Sequence, residues 1–316
     1  MMPEDFQLFF SPDDESGGSS GRDASELAAL ISLLDDTDSE VFEHVSEKLL
    51  GLGPDIIPQL EERWESDRDP LLQGRIESLV HKIQFEDVRG DLRYWIEEDT
   101  EDLLEAALIL ARYAYPTADI SSLRERIGGI RRSIWVELNQ YLTPVEKIKQ
   151  VNGVLFNHLG YKREETAERK PASSYLNNLL QSRKGNPLGL SMLYLILAQQ
   201  LELPVYGVNL PLMPVLAFTD GYLHQFGDPE ELNDRVEFYI YPYRQGHILT
   251  RSNLTEYLRK IEKPLAPEYY APVSNREFLR SWGSLQSALY REAGDEEKAL
   301  EFRELFSALR QSGDQD

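Results

Sequence analysis

Residues 174–209, SYLNNLLQSRKGNPLGLSMLYLILAQQLELPVYGVN, decide the fold. The spacing predicts one helix over 173–182 and a second over 187–201, with Pro187 in the first turn, where its missing N–H breaks no helical bond. The second helix carries Leu188, Leu190, Met192, Leu193, Leu195, Ile196 and Leu197, so it is apolar nearly all round. Such a helix is buried. Immediately after it, strand chemistry begins at Val205. A central helix leading into an antiparallel sheet is an α+β plan.

Working outward, strands are predicted over 205–209, 215–219, 222–226 and 236–241, with turn signals at Asp220-Gly221 and Gly227-Asp228-Pro229. A short helix over 253–262 follows, then a hairpin of helices over 275–291 and 295–309 that turns at Gly294. Upstream lie helices over 103–115, 120–141 and 144–159, the last with Thr143 as N-cap before Pro144, and a polar excursion over 161–172. Nearer the N-terminus, Leu27, Leu30, Ile31 and Leu34 share one helical face, and Val41, Val45, Leu49 and Leu52 the next. Gly51 and Gly53 stop that helix, and Ile56, Ile57, Leu60 and Trp64 make a third face. The layout recurs 31 residues later, pairing Asp38 with Asp69, Val45 with Ile76, Leu49 with Val80 and Trp64 with Trp95, which implies repeated helical hairpins. Residues 11–25 hold no apolar side chain except Ala24 and are expected to form a disordered leader.

Composition narrows the function. The 316 residues contain no cysteine, which excludes disulfides, thiolate metal sites and any thiol nucleophile. The net charge of −22 is concentrated: residues 1–102 hold 28 Asp/Glu against 8 Lys/Arg, residues 103–316 hold 27 against 25. The charge break suggests a domain boundary at 102. Acidity argues against a nucleic-acid or anionic-membrane binder. The basic residues around 161–170 are interrupted by Glu164, Glu165 and Glu168, and there is no phosphate-binding glycine loop. No apolar run reaches the roughly 20 residues of a membrane span, and a cytoplasmic protein is expected.

The central stretch resembles the core of the transglutaminase-like superfamily, in particular its bacterial SirB-type branch. The resemblance rests on Tyr175, Leu176, Asn177 and Leu180; on Arg183, Gly185, Pro187, Leu190 and Tyr194; on Leu201, Leu203 and Pro204; and on Gly207, Val208, Leu210 and Pro211. Ile240, Pro242, Tyr243 and Gly246 resemble that branch's strand-and-turn, and the likeness covers about 103–311. The acidic turn before the repeated helix resembles HEAT-type repeats, and Ala288, Leu289, Tyr290, Gly294, Ala299 and Leu300 resemble one tetratricopeptide-type unit. The resemblance implies a mostly helical α+β fold. It also implies four segments: leader 1–25, acidic HEAT-like repeats 26–102, transglutaminase-like core 103–265, and a tetratricopeptide-like hairpin 266–316.

Catalytic members of the superfamily use a Cys at the N-terminus of the central helix, a His on the following strand and an orienting Asp. Aligned by the motifs above, these positions hold Pro187, Met213 and Tyr241, so the resemblance implies a vacant triad and a non-catalytic interaction or regulatory protein. Neither a cofactor nor a metal is expected, and the acidic N-terminal repeats are expected to meet a basic protein partner. A competing reading, a serine-type hydrolase, would use Ser191 and His224. Gly189-Leu190-Ser191-Met192-Leu193 lacks the second glycine of a nucleophile elbow, and a buried Ser191 bonded to the carbonyl four residues back is the expectation. Asp220, His224 and Asp228 have metal-like spacing only if helical, and the two Asp residues sit in turn pairs. His44, His81, His158 and His247 stand singly.

Overall fold

The computed structural model describes residues 19–36, 38–98, 102–165 and 170–307. By contacts the chain divides into two units between Asp87 and Val88.

In the first unit, helix α1 (Ser19–Ser32) is followed by α2 (Ser39–Gly51), α3 (Ile57–Ser66) and α4 (Pro70–Glu97). Residues 1–18 of the expected leader lie outside the described residues. Residues 19–25, read as unstructured, belong to α1, because extending a helix already nucleated by the Leu27–Leu34 face costs little. The 31-residue repeat is realised in the caps. Asp36 accepts from the Asp38 N–H at 2.9 Å and Asp38 from Glu40 at 2.9 Å; one repeat later Asp67 accepts from Asp69 at 2.9 Å and Asp69 from Leu71 at 3.0 Å. The repeat then fails. The first copy breaks at Gly51-Leu52-Gly53-Pro54, with Gly53 at φ 75° and Pro54 opening the next turn, whereas the second copy has Lys82, Ile83, Gln84 and Phe85 there. None of these stops a helix, so α4 runs unbroken for 28 residues instead of forming a second hairpin. The buried cluster, including Leu34, Val45, Leu49, Leu60, Ile76 and Ile83, is wholly aliphatic.

The second unit takes in the last turns of α4. Val88, Leu92, Trp95 and Ile96 are buried there, Arg89 pairs with Glu304 at 2.8 Å, and the Trp95 Nε1–H donates to the Asp102 carbonyl at 2.8 Å. The division therefore falls before Val88 and not at Asp102, since charge reports the solvated face and burial reports the fold. Helix α5 (Leu103–Ala114) is capped by Asp102 and α6 (Ile120–Trp135) by Asp119. The latter ends short of the expected 141, where the Asn139 side chain takes the Tyr141 N–H into a turn at 3.0 Å. Helix α7 (Pro144–Asn152) starts with a Thr143/Glu146 capping box and loosens into a π-helical turn over Gly153–His158. Strand β1 (Lys162–Arg163), helix α8 (Leu176–Ser182) and strand β2 (Lys184–Gly185) lead to α9 (Pro187–Gln200), and β1 pairs with β2 in parallel.

The remaining elements are β3 (Val205–Val208), β4 (Val215–Thr219), α10 (Pro229–Asp234), β5 (Val236–Tyr241), β6 (His247–Leu249), α11 (Arg251–Lys260), β7 (Pro272–Val273), α12 (Asn275–Glu292) and α13 (Glu296–Leu305). The five longer-range strands form one antiparallel sheet in the order β6-β5-β4-β3-β7. The mostly helical α+β class is as expected. The strand expected over 222–226 is not formed: the Leu223 N–H donates to the Tyr206 Oη at 2.8 Å and Phe226 meets the Tyr206 ring edge-on at 5.7 Å, so the segment folds onto a side chain and β4 pairs directly with β5. All of β4 is buried. Val215, Ala217 and Tyr239 pack with Leu254 and Leu258 of α11, while the alternate residues Phe218 and Phe238 stack with ring centroids 5.0 Å apart. Because β7 belongs to this sheet and Phe278 of α12 lies against Gly207 of β3, residues 266–307 are continuous with the core and not a separate segment.

Candidate functional site

The N-terminus of α9 is built around a residue that the sequence reading passed over. Asn186 is buried and caps the helix, its Oδ1 accepting from the Gly189 N–H at 2.9 Å. Its Nδ2 donates to Ser174 Oγ at 2.6 Å and to the Lys170 carbonyl at 3.2 Å. Ser174 Oγ donates to Gln286 Oε1 at 2.6 Å, and Gln286 Nε2 donates to the Pro171 carbonyl at 2.9 Å. Gly189 is required for this closeness, because a Cβ there would lie 2.4 Å from the Ser173 carbonyl oxygen. The signal for Asn186 was present in sequence, as an Asn directly before a Pro at the start of a helix. The partnership with Gln286 was not, since 100 residues separate the two.

This network fills the start of α9. Pro187, buried at the first helical position, has neither nucleophile nor N–H, and the Gly189 N–H is already taken. Met213 and Tyr241 both pack against the apolar cluster of β3, β4, β5 and α11.

Ser191 is fully buried, and its Oγ donates across to the Pro214 carbonyl at 3.1 Å, tying the turn after β3 to α9. The expected bond to the carbonyl four residues back is thus replaced by a tertiary one, available because the turn lies against that helix face. His224 is exposed in the loop between β4 and α10. In the same loop, Asp220 pairs with Arg235 at 2.7 Å and Asp228 caps α10 through the Glu230 N–H at 2.8 Å. Among the described residues no three His, Asp or Glu side chains are grouped to hold a metal ion. His44 is exposed on α2, His158 in the π-helical turn and His247 at the start of β6, while His81 is partly buried on α4. In the polar excursion, residues 166–169 lie outside the described residues. Among the described residues no helix is long and apolar enough to cross a membrane.

Burial dominates the electrostatics of this unit. Tyr194 of α9 is fully buried, with its Oη donating to Asn152 Oδ1 at 2.9 Å, and burial pushes its phenol far above the usual tyrosine value. Tyr175, bonded to the Tyr290 hydroxyl at 2.8 Å, is raised for the same reason.

A fold of this kind, with a central helix starting beside the turn of an antiparallel sheet, is what the family comparison identifies: residues 121–283 match the model of the transglutaminase-like superfamily, a little over half the chain. The chain belongs to that superfamily. Its relatives include a UPF0162 protein of Xylella fastidiosa, 30% identical over 150 residues that make up 45% of this chain and 53% of that protein. A UPF0162 protein of Vibrio cholerae is 23% identical over 198 residues, 61% of this chain and 68% of that protein. F-box only protein 21 of Mus musculus is 25% identical over 252 residues, 70% of this chain and 38% of that protein. The chain spans about half the length of its Xylella relatives. No solved structure matches the chain at the significance these relatives reach.

Proposed function

We propose that this member of the transglutaminase-like superfamily is a non-catalytic protein of the SirB-type branch, acting as a protein-interaction or regulatory module. The observation that carries the reading is Pro187, buried at the first position of α9 where the nucleophile would stand, in a chain without cysteine. The packing of Met213 and Tyr241 into an apolar cluster supports it, because both side chains are used as structure. In this reading α2–α4 form a HEAT-like surface and α12–α13 a tetratricopeptide-like hairpin, both types that present faces to other proteins.

The partner is a basic protein, met by the acidic N-terminal unit and steered by charge. Nothing in a helical spacer requires 22 acidic residues against 6 basic ones over 1–87. Neutralising the exposed Glu61, Glu62 and Glu65 of α3 to Gln in the full chain is expected to flatten the salt dependence of partner capture; an unchanged salt slope overturns this assignment. For the absence of catalysis, a serine-directed fluorophosphonate should leave Ser191 unlabelled. Stoichiometric labelling of Ser191 would restore the hydrolase reading with His224.

A further inference from the structure

Strand β1 and the turn after β5 (Pro242–Arg244), distant in sequence, border one open cavity of about 580 Å³. That volume lies within the range of small-molecule sites. Its lining is Lys162, Arg163, Glu165, Tyr243, Arg244 and Gln245, with no aliphatic side chain among them. Lys162 pairs with Glu165 at 3.3 Å, whereas the guanidiniums of Arg163 and Arg244 meet no carboxylate and no hydrogen-bond acceptor among the described residues. Three cations and one carboxylate leave two positive charges uncompensated. This reverses the balance of the whole chain, which holds 55 Asp and Glu against 33 Lys and Arg. With acid in such excess, cations gathered without it repel one another, and packing gains nothing from exposed side chains to offset that. The strand register adds to the repulsion. Lys162 lies opposite Lys184 of β2, and like charges directly opposite are destabilising.

Both walls have a fixed backbone. In β1 the Lys162 N–H donates to the Arg183 carbonyl at 2.9 Å and the Glu164 N–H to the Gly185 carbonyl at 3.0 Å. In the other wall Gln245 holds a left-handed conformation at φ 55°, and Gly246 follows at φ 69°. Asn152 Nδ2 donates to the Gly246 carbonyl at 2.9 Å, and its Oδ1 accepts from the buried Tyr194 hydroxyl at 2.9 Å. A Cβ at Gly246 would lie 1.9 Å from Asn152 Oδ1, so the turn rests directly on that side chain. Backbones set before a ligand arrives lower the cost of binding it. The charge count then names the ligand. We propose that this cavity binds a soluble phosphate monoester, its dianion received by Arg163 and Arg244 and its organic group lying against Tyr243. A phosphate monoester carries about −1.5 to −2 charge near neutral pH and three acceptor oxygens, which match the surplus charge and the two guanidinium forks. A single carboxylate would neutralise only half of that surplus. Half-buried Tyr243 supplies the one aromatic surface of the lining. The site stands apart from the interaction reading, because it needs no protein partner.

Three compounds sharing one ring test it: phenyl phosphate, benzenesulfonate and benzoate, each titrated into the full chain by calorimetry. Phenyl phosphate is expected to bind saturably at one site, with the two monoanions each about tenfold weaker. Arg163→Gln and Arg244→Gln, changes at exposed positions, should each weaken phenyl phosphate about tenfold without altering the melting temperature. If either variant melts lower, the contrast between phenyl phosphate and benzenesulfonate in the native chain still decides. Arg303→Gln, at an exposed position of α13, should leave the affinity unchanged. Vesicles of phosphatidylcholine and phosphatidate, which display the same phosphate on a lipid, should not co-sediment the chain. Equal affinity for the three compounds, undiminished binding in Arg163→Gln or Arg244→Gln, an equal loss in Arg303→Gln, or co-sedimentation with the vesicles overturns the proposal. Labelling of Ser191 or loss of partner capture would count against the interaction reading and leave this one standing.

Discussion

The two units solve the same problem, stopping and starting helices, under different solvent conditions. In the N-terminal unit Asp38 caps α2 at the surface, with water able to replace it. In the second unit Asn186 caps α9 in the interior, and its side chain also holds Ser174 and the Lys170 carbonyl. An identical local device thus becomes a tertiary one when it is buried, because an unmatched polar group inside the protein has no water to turn to.

Substituting both caps should show the largest difference. Asn186→Ala is expected to cost about 3 kcal/mol, a cap plus the groups it leaves unmatched, whereas Asp38→Ala should cost about 1 kcal/mol. Denaturant unfolding of the full chain, read by amide exchange in each unit, measures both. Equal losses would show that burial adds nothing to the Asn186 network.

Glycines extend the comparison with opposite signs. A Cβ at Gly189 would strike a backbone carbonyl at 2.4 Å, so Gly189→Ala should destabilise by about 2 kcal/mol. At Gly74 of α4 a Cβ meets nothing within 4 Å, so Gly74→Ala should stabilise by about 0.5–1 kcal/mol. Thermal melts of the two variants check the signs, and stabilisation by Gly189→Ala would mean that the start of α9 is looser than described.

Alkali should separate the units as well. All 16 tyrosines follow Asp87. Burial raises Tyr175, Tyr194 and Tyr239 above their ordinary value of 10.0, so the folded state holds these protons more tightly than the unfolded chain. Their contribution is complete below pH 10 and falls as pH rises past it. Amide protection in the second unit should therefore drop above pH 10, ahead of protection in α2 and α3. Simultaneous loss would break the distinction.

The smallest effect is expected at Pro187, the first residue of α9. Pro187→Ala keeps the helix start and loses only the restriction on the unfolded chain, about 1 kcal/mol or less. A loss of several kcal/mol, measured by denaturant titration, would give the proline a role in the packing around the start of α9.

What could be read from the chain follows the range of the interactions involved. The apolar helix expected over 187–201, strands β4 and β5, the Thr143 cap and the absence of any thiol were legible, because each depends on neighbours within a turn or on residue type alone. The strand expected at 222–226 failed because Tyr206 offered a hydroxyl and a ring from elsewhere in the chain. The hairpin expected from the second repeat failed because a matching apolar face does not carry the glycines and proline that break a helix.

By itself, then, the sequence determined that a buried helix leads into a sheet, that the N-terminal third of the chain is strongly acidic, and that no thiol chemistry is available. Tertiary structure alone decided that Asn186, Ser174 and Gln286 meet, that Ser191 turns to Pro214, and that Arg163 and Arg244 border one cavity. Those choices join residues tens of positions apart, and chain proximity carries no information about which buried donor will find which acceptor until the elements have packed.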